Sequence, residues 1–123
     1  MGGERILLVE DESITRTSMA DVLRNEGYNV EEASDGAQAV ELFESRWFNL
    51  VITDFVMPQL NGFKLIARVH SLAPQTPIIL VSAYLSGNSG KAILQGTAEF
   101  IGKPIETDVL LATVKHLLVA PHA

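Results

Sequence analysis

Three stretches of the chain, ILLV at 6–9, LVI at 50–52 and IILV at 78–81, are apolar without alternation. A strand with one face in water alternates apolar and polar side chains. A strand covered on both faces reads as a continuous apolar run, as in a parallel sheet between two helical layers. Two shorter stretches, 28–30 and 100–101, complete a set of five. Parallel neighbours cannot be joined by a tight turn, and each interval between these runs is long enough for a helical crossover.

Helix signals fill the intervals. Over 13–26, Ile14, Met19, Val22 and Leu23 form an apolar face and Gly27 is a natural stop. Over 36–46, Val40 and Phe43 point one way beside Ala39, and Asp35 with Gln38 three residues on makes a capping-box-like start. Leu65, Ile66 and Val69 form the face of a helix over 62–72, ended by Pro74 and Pro77. Leu110, Val114, Leu117 and Leu118 give a strong face over 107–119. The segment LSGNSGKAILQG holds three glycines, which are poor in helix interiors, so only a short helix is expected there, around 91–95. The lone tryptophan, Trp47, is expected to pack at the end of the second helix. Strands alternating with helices imply an α/β fold with right-handed crossovers. For five strands the doubly wound, flavodoxin-like arrangement has the order 2-1-3-4-5, with ligands beyond the carboxyl ends of the strands.

A length of 123 residues is read as a single domain with its core at about 4–119, large enough to bury a real core. No apolar stretch approaches the roughly 18 residues of a membrane span, and no secretory pattern opens the chain. The chain has no cysteine, which removes disulfides and thiolate metal sites and fits a reducing cytoplasm. A formal charge of −6 argues against direct nucleic-acid binding, which needs basic surface.

The carboxyl ends of the strands carry the chemistry. Glu10-Asp11-Glu12 follow the first, Asp54 the third, Ser82 ends the fourth, and the fifth runs into Lys103-Pro104. In the order 2-1-3-4-5 strands 1 and 3 are neighbours, so Glu10, Asp11 and Asp54 come together. Each residue alone has a plainer reading. The acids at 10–12 suit a helix N-terminus, Asp54 suits a turn near Pro58 and Asn61-Gly62, Ser82 suits a strand-end hydroxyl, and Lys103 suits a solvated surface. Their joint placement on one rim favours a shared role. Three carboxylates repel unless some are protonated or a cation sits among them. A hard divalent ion fits, Mg²⁺ foremost. Such a site can receive a phosphoryl group, with Lys103 and the ion neutralising its oxygens, Ser82 bonding another, and a carboxylate attacking phosphorus.

The stretches ILLVEDE, LVITDFVMPQLNGF, IILVSAY and GTAEFIGKP, in this order and spacing, make the whole chain resemble the receiver (phosphoacceptor) domain of two-component response regulators. The resemblance implies that Asp54 accepts a phosphoryl group from a phosphohistidine on a sensor histidine kinase or histidine phosphotransfer protein. It implies that Glu10, Asp11, Asp54 and the Val56 carbonyl hold Mg²⁺ or another divalent cation, and that Lys103 pairs with Asp54 and then with its phosphate. Ser82 and the aromatic Phe100 stand at the switch positions. The Lys103-Pro104 bond is expected to be cis. The output is expected at the surface of the helix around 91–95, the fifth strand and the last helix. Its partner is not legible, and a homodimer formed on phosphorylation is left open. The domain would catalyse its own phosphorylation and slow dephosphorylation while serving chiefly as a signalling switch.

Several positions depart from the family pattern. Glu10 stands where Asp is also frequent, and its longer side chain is expected to reach the metal through water. Val56 and Tyr84 are ill suited to orient an attacking water, which implies slow loss of phosphate. Phe100 lacks the hydroxyl of a Tyr. The segment between Ser82 and Phe100 is about one residue short and glycine-rich, which implies a displaced or mobile helix. His70, His116 and His122 fall outside the matched site. Ile14, Thr15 and Ser18 are partner contacts by analogy. A flavin binder of this fold would need a hydroxyl- and glycine-rich loop where acids stand. A phosphatase with an Asp nucleophile would carry it after the first strand with a second Asp two residues on. A receiver-shaped module without phosphate chemistry would not need Asp11, Asp54, Ser82 and Lys103 together.

Overall fold

A computed structural model describes residues 3–54, 62–82 and 98–119 of the chain. In chain order the elements are β1 (Arg5–Val9), α1 (Ser13–Asn25), β2 (Asn29–Ala33), α2 (Gly36–Ser45), β3 (Leu50–Asp54), α3 (Gly62–Leu72), β4 (Ile78–Ser82), β5 (Ala98–Gly102) and α4 (Thr107–Val119). The strands form a five-stranded parallel sheet in the order β2-β1-β3-β4-β5. The helix expected around 91–95 lies outside the described residues.

The continuous apolar runs are buried on both faces, as their composition demands. Ile6, Leu8, Leu50, Ile52, Ile79, Val81 and Ile101 face Met19, Ala20 and Leu23 of α1 and Leu110, Val114 and Leu117 of α4. Leu7, Val9, Val51, Ile78 and Leu80 face Ala39 and Phe43 of α2 and Leu65, Ile66 and Val69 of α3. Each fully buried Leu or Ile contributes about 1.5–3 kcal/mol relative to exposure, so the two layers together fix which helix lies on which face.

Local signals set the helix ends. Asp35 Oδ1 accepts from the Gln38 N–H at 2.8 Å, while Gln38 Oε1 accepts from the N–H of Ser34, one residue before the cap. Glu12 caps α1, accepting from the Thr15 N–H and hydroxyl. After α1, Gly27 takes φ +97°, a conformation that costs a glycine little, and donates to the Arg24 carbonyl at 3.0 Å.

The second strand continues from the apolar stretch at 28–30 through Glu31 and Glu32 to Ala33. Its acids are tolerated on this edge strand because arginines neutralise them: Arg46, just past α2, meets Glu31 at 2.9 Å, and Arg16 and Arg24 of α1 meet Glu32 at 3.3 and 3.0 Å. Ile14 does not join the core face of α1 but is 75% exposed, because it sits in the first turn, past the end of the sheet. Trp47 is 70% exposed. Phe48 takes the packing role instead, stacking on Phe43 with ring centroids 6.1 Å apart.

Candidate functional site

Strand register explains how distant residues meet. Val9 pairs with Thr53, so Glu10 and Asp54 are each one step further along adjacent strands. Asp54 pairs with Val81, and Ser82 pairs with Gly102, immediately before Lys103. Side chains alternate between faces of a strand. Glu10 and Asp54 continue the Leu8 and Ile52 face, and Lys103 continues that of Ile101, so all three converge beside α1 and α4. Ser82 falls on the other face, as does Phe100, which packs with the layer that includes its register partner Leu80. Both groups lie at the carboxyl ends of the strands, where they can meet around the rim of the sheet. The backbone N–H of Lys103 donates to the Ser82 carbonyl at 3.1 Å, which links the two groups across the rim.

Lys103 Nζ donates to Asp54 Oδ2 at 2.7 Å and to Glu10 Oε1 at 3.2 Å. Oxygens from Glu10, Asp11 and Asp54 lie within 4.8 Å of one another. Glu10 and Asp54 are buried and Asp11 is exposed, so the cluster opens to solvent on one side. Burial pushes the Glu10 carboxyl above its ordinary range. The Glu12 N–H donating to Glu10 Oε2 at 3.2 Å opposes this, nearby Asp54 adds to it, and Lys103 offsets part. For Lys103, burial pulls the ammonium down, but Asp54 and then Glu10 outweigh it and hold it above the ordinary lysine value. Among the described residues the Lys103 ammonium thus pairs with two of the three clustered carboxylates, and an all-oxygen donor set with surplus negative charge can hold a hard metal ion.

The peptide bond between Lys103 and Pro104 is cis. Val56 and Tyr84 lie outside the described residues, as does His122. His70 lies in α3 and His116 in the last turn of α4, neither in the acid cluster. Two contacts at the rim escaped the sequence reading. Thr53 is fully buried and its hydroxyl donates to the Asp54 carbonyl at 2.9 Å. Arg16 Nη1 donates to the Glu10 carbonyl at 2.8 Å. A polar residue ending an otherwise apolar strand was a signal for Thr53; nothing in the sequence singles out Arg16.

The sequence profile of the response regulator receiver domain matches residues 6–115. The chain belongs to this family. The receiver domain is 32% identical over 119 residues to the transcriptional regulatory protein ZraR of Escherichia coli K12, covering 96% of this chain and 27% of ZraR. It is 33% identical over 113 residues to the autoinducer 1 sensor kinase/phosphatase LuxN of Vibrio harveyi, covering 92% of this chain and 13% of LuxN. The chain thus spans about a quarter or less of these two relatives. Among solved structures, a CheY-like receiver domain protein from Methanospirillum hungatei superposes with a TM-score of 0.87 at 32% identity, covering 94% of this chain and 93% of that one. The receiver domain of the hybrid histidine kinase CckA does so with a TM-score of 0.80 at 33% identity, covering 93% and 98%. Phosphorylation-dependent two-component signalling is the activity of this family. Among the described residues, no helix is long and apolar enough to cross a membrane.

Proposed function

We propose that the chain is a cytoplasmic receiver-domain phosphorylation switch in which Asp54 takes a phosphoryl group from a phosphohistidine of a sensor histidine kinase or histidine phosphotransfer protein. The observation that carries this reading is the 2.7 Å contact of Lys103 Nζ with Asp54 Oδ2 inside a three-carboxylate cluster at the strand ends. An Asp54 carboxylate oxygen attacks phosphorus, the P–N bond to the imidazole breaks, and its electron pair returns to the ring nitrogen. With the other ring nitrogen of the phosphohistidine carrying a proton, the products are an aspartyl phosphate and a neutral histidine. Lys103 is already within reach of the phosphoryl oxygens and balances their charge.

Asp11 and Asp54 directly, Glu10 through water, and the carbonyl of Val56, outside the described residues, would hold Mg²⁺, which supplies further neutralisation of phosphoryl oxygens when bound. Ser82, 1% exposed, donates its hydroxyl to a phosphoryl oxygen and draws Phe100 after it along the same sheet face. The change spreads to the surface of β5, α4 and the helix expected around 91–95. Release of phosphate is slow, because neither Val56 nor Tyr84 orients a water.

The partner's phosphohistidine must enter beside α1. A groove of about 620 Å³ runs there, lined by Ile14, Ser18 and Val22 of α1 and by Pro104, Ile105 and Leu110 beyond Lys103. An exposed Ile14 at its edge suits an apolar helix from a partner.

Incubation with Mg²⁺ and a small phosphodonor, followed by intact mass measurement, tests the reading. One added phosphoryl group that is absent from Asp54→Ala supports it. No gain by the wild-type chain would falsify it in favour of a module without phosphate chemistry.

A further inference from the structure

Arg16 reaches from the edge of the sheet to the acidic rim. Its Nη1 donates to the main-chain carbonyl of Glu10 at 2.8 Å, and its Nε to Glu32 Oε1 at 3.3 Å. The side chain is 18% exposed. Glu32 is in turn fixed by Arg24, whose Nη1 lies 3.0 Å from Glu32 Oε2 and whose Nη2 donates to the Val30 carbonyl at 2.8 Å. On its other side, the Glu10 N–H donates to the Ala33 carbonyl at 3.1 Å. Both peptide groups flanking Glu10 are therefore held, one by β2 and one by Arg16. The second is the peptide that joins Glu10 to Asp11. The guanidinium thus sets the plane from which the Asp11 carboxylate projects into the cluster.

We propose that Arg16 is a positioning residue for the cation site, acting through the Glu10–Asp11 peptide and anchored by Glu32. The inference rests on the metal reading given above. Its consequence is selectivity. Mg²⁺ needs near-ideal octahedral geometry at about 2.0–2.1 Å, whereas Ca²⁺ accepts looser oxygen ligands at about 2.3–2.6 Å. A rotated Asp11 costs Mg²⁺ more than Ca²⁺. A role limited to the charge of Arg16 would move both ions alike, and in the opposite sense when that charge is removed. Arg16→Lys keeps the charge but loses the planar fork that spans two acceptors.

Mg²⁺ and Ca²⁺ are titrated calorimetrically into wild type, Arg16→Lys and Glu32→Gln, each shown to be folded in EDTA. For Arg16→Lys the Mg²⁺ Kd rises about tenfold, the lower end of the usual effect of losing a ligand-orienting contact, and the Ca²⁺ Kd rises much less. Glu32→Gln shifts the ratio in the same direction by a smaller factor, and it carries the test if Arg16→Lys does not fold. A Mg²⁺-to-Ca²⁺ ratio unmoved in Glu32→Gln and in any folded Arg16→Lys overturns the role of Arg16 while leaving the metal site intact. A wild-type chain that binds neither ion overturns both.

Discussion

Glu10 is 2% exposed, and burial holds its carboxyl above the usual value of 4.5, with Asp54 adding to the shift. The folded chain therefore holds the Glu10 proton more tightly than the unfolded chain does. Stability falls as pH rises from 4.5 through the folded value, and at neutral pH the ionised side chain is a net cost. Glu10→Gln in EDTA should flatten that acid limb. At pH 7 it should raise Tm above that of the wild type. Thermal scans from pH 4 to 7 check this, and an unchanged slope would show that Glu10 carries no such cost. Lys103 is also raised, from 10.5, so its contribution is complete below that pH and is lost as pH climbs through its folded value. At this scale the acids, the hydroxyl and the lysine were legible, because a charge at the end of an apolar strand is conspicuous. Arg16 was not, because its partner at the rim is a backbone carbonyl, and every residue has one.

The loop between α2 and β3 separates two aromatic neighbours. Phe48 is 1% exposed beneath Phe43, while Trp47 faces solvent. Phe48→Ala should cost about 3–5 kcal/mol in denaturant unfolding, and Trp47→Ala should stay within about 0.5 kcal/mol. Comparable losses for both would mean that the tryptophan is packed after all. Sequence reasoning chose the larger ring because size argues for burial. The direction of the chain as it leaves α2 decides the matter, and composition does not carry that. The strands divide in the same way. β1, β3 and β4 were plain as unbroken apolar runs. β2 was legible only in part, its apolar stretch ending in acids whose partners Arg16, Arg24 and Arg46 are not apparent from the sequence. β5 was read short because it includes the exposed Glu99 and ends at Gly102.

Across the whole molecule, Glu10, Asp54 and Lys103 continue the strand faces packed on α1 and α4, and Ser82 continues the face packed on α2 and α3, where Phe100 also lies. On the function proposed above, a phosphoryl group on Asp54 is sensed around the strand ends, where the Ser82 carbonyl accepts from the Lys103 N–H. Ser82→Ala should still accept phosphate. Its phosphorylation-induced change in hydrogen exchange over residues 85–105 should shrink to less than about half that of wild type, as expected when one strong contact biasing a two-state element is lost. An undiminished change would remove Ser82 from the coupling. The ion pairs that complete the site also span long stretches of chain, 49 residues from Asp54 to Lys103 and 93 from Glu10 to Lys103. During synthesis all three acids leave the ribosome well before the lysine. A nascent chain can assemble its first three strands and still lack the Lys103 ammonium that pairs with Asp54. On the function proposed above, phosphorylation therefore waits until translation has passed Lys103 and β5 has joined the sheet.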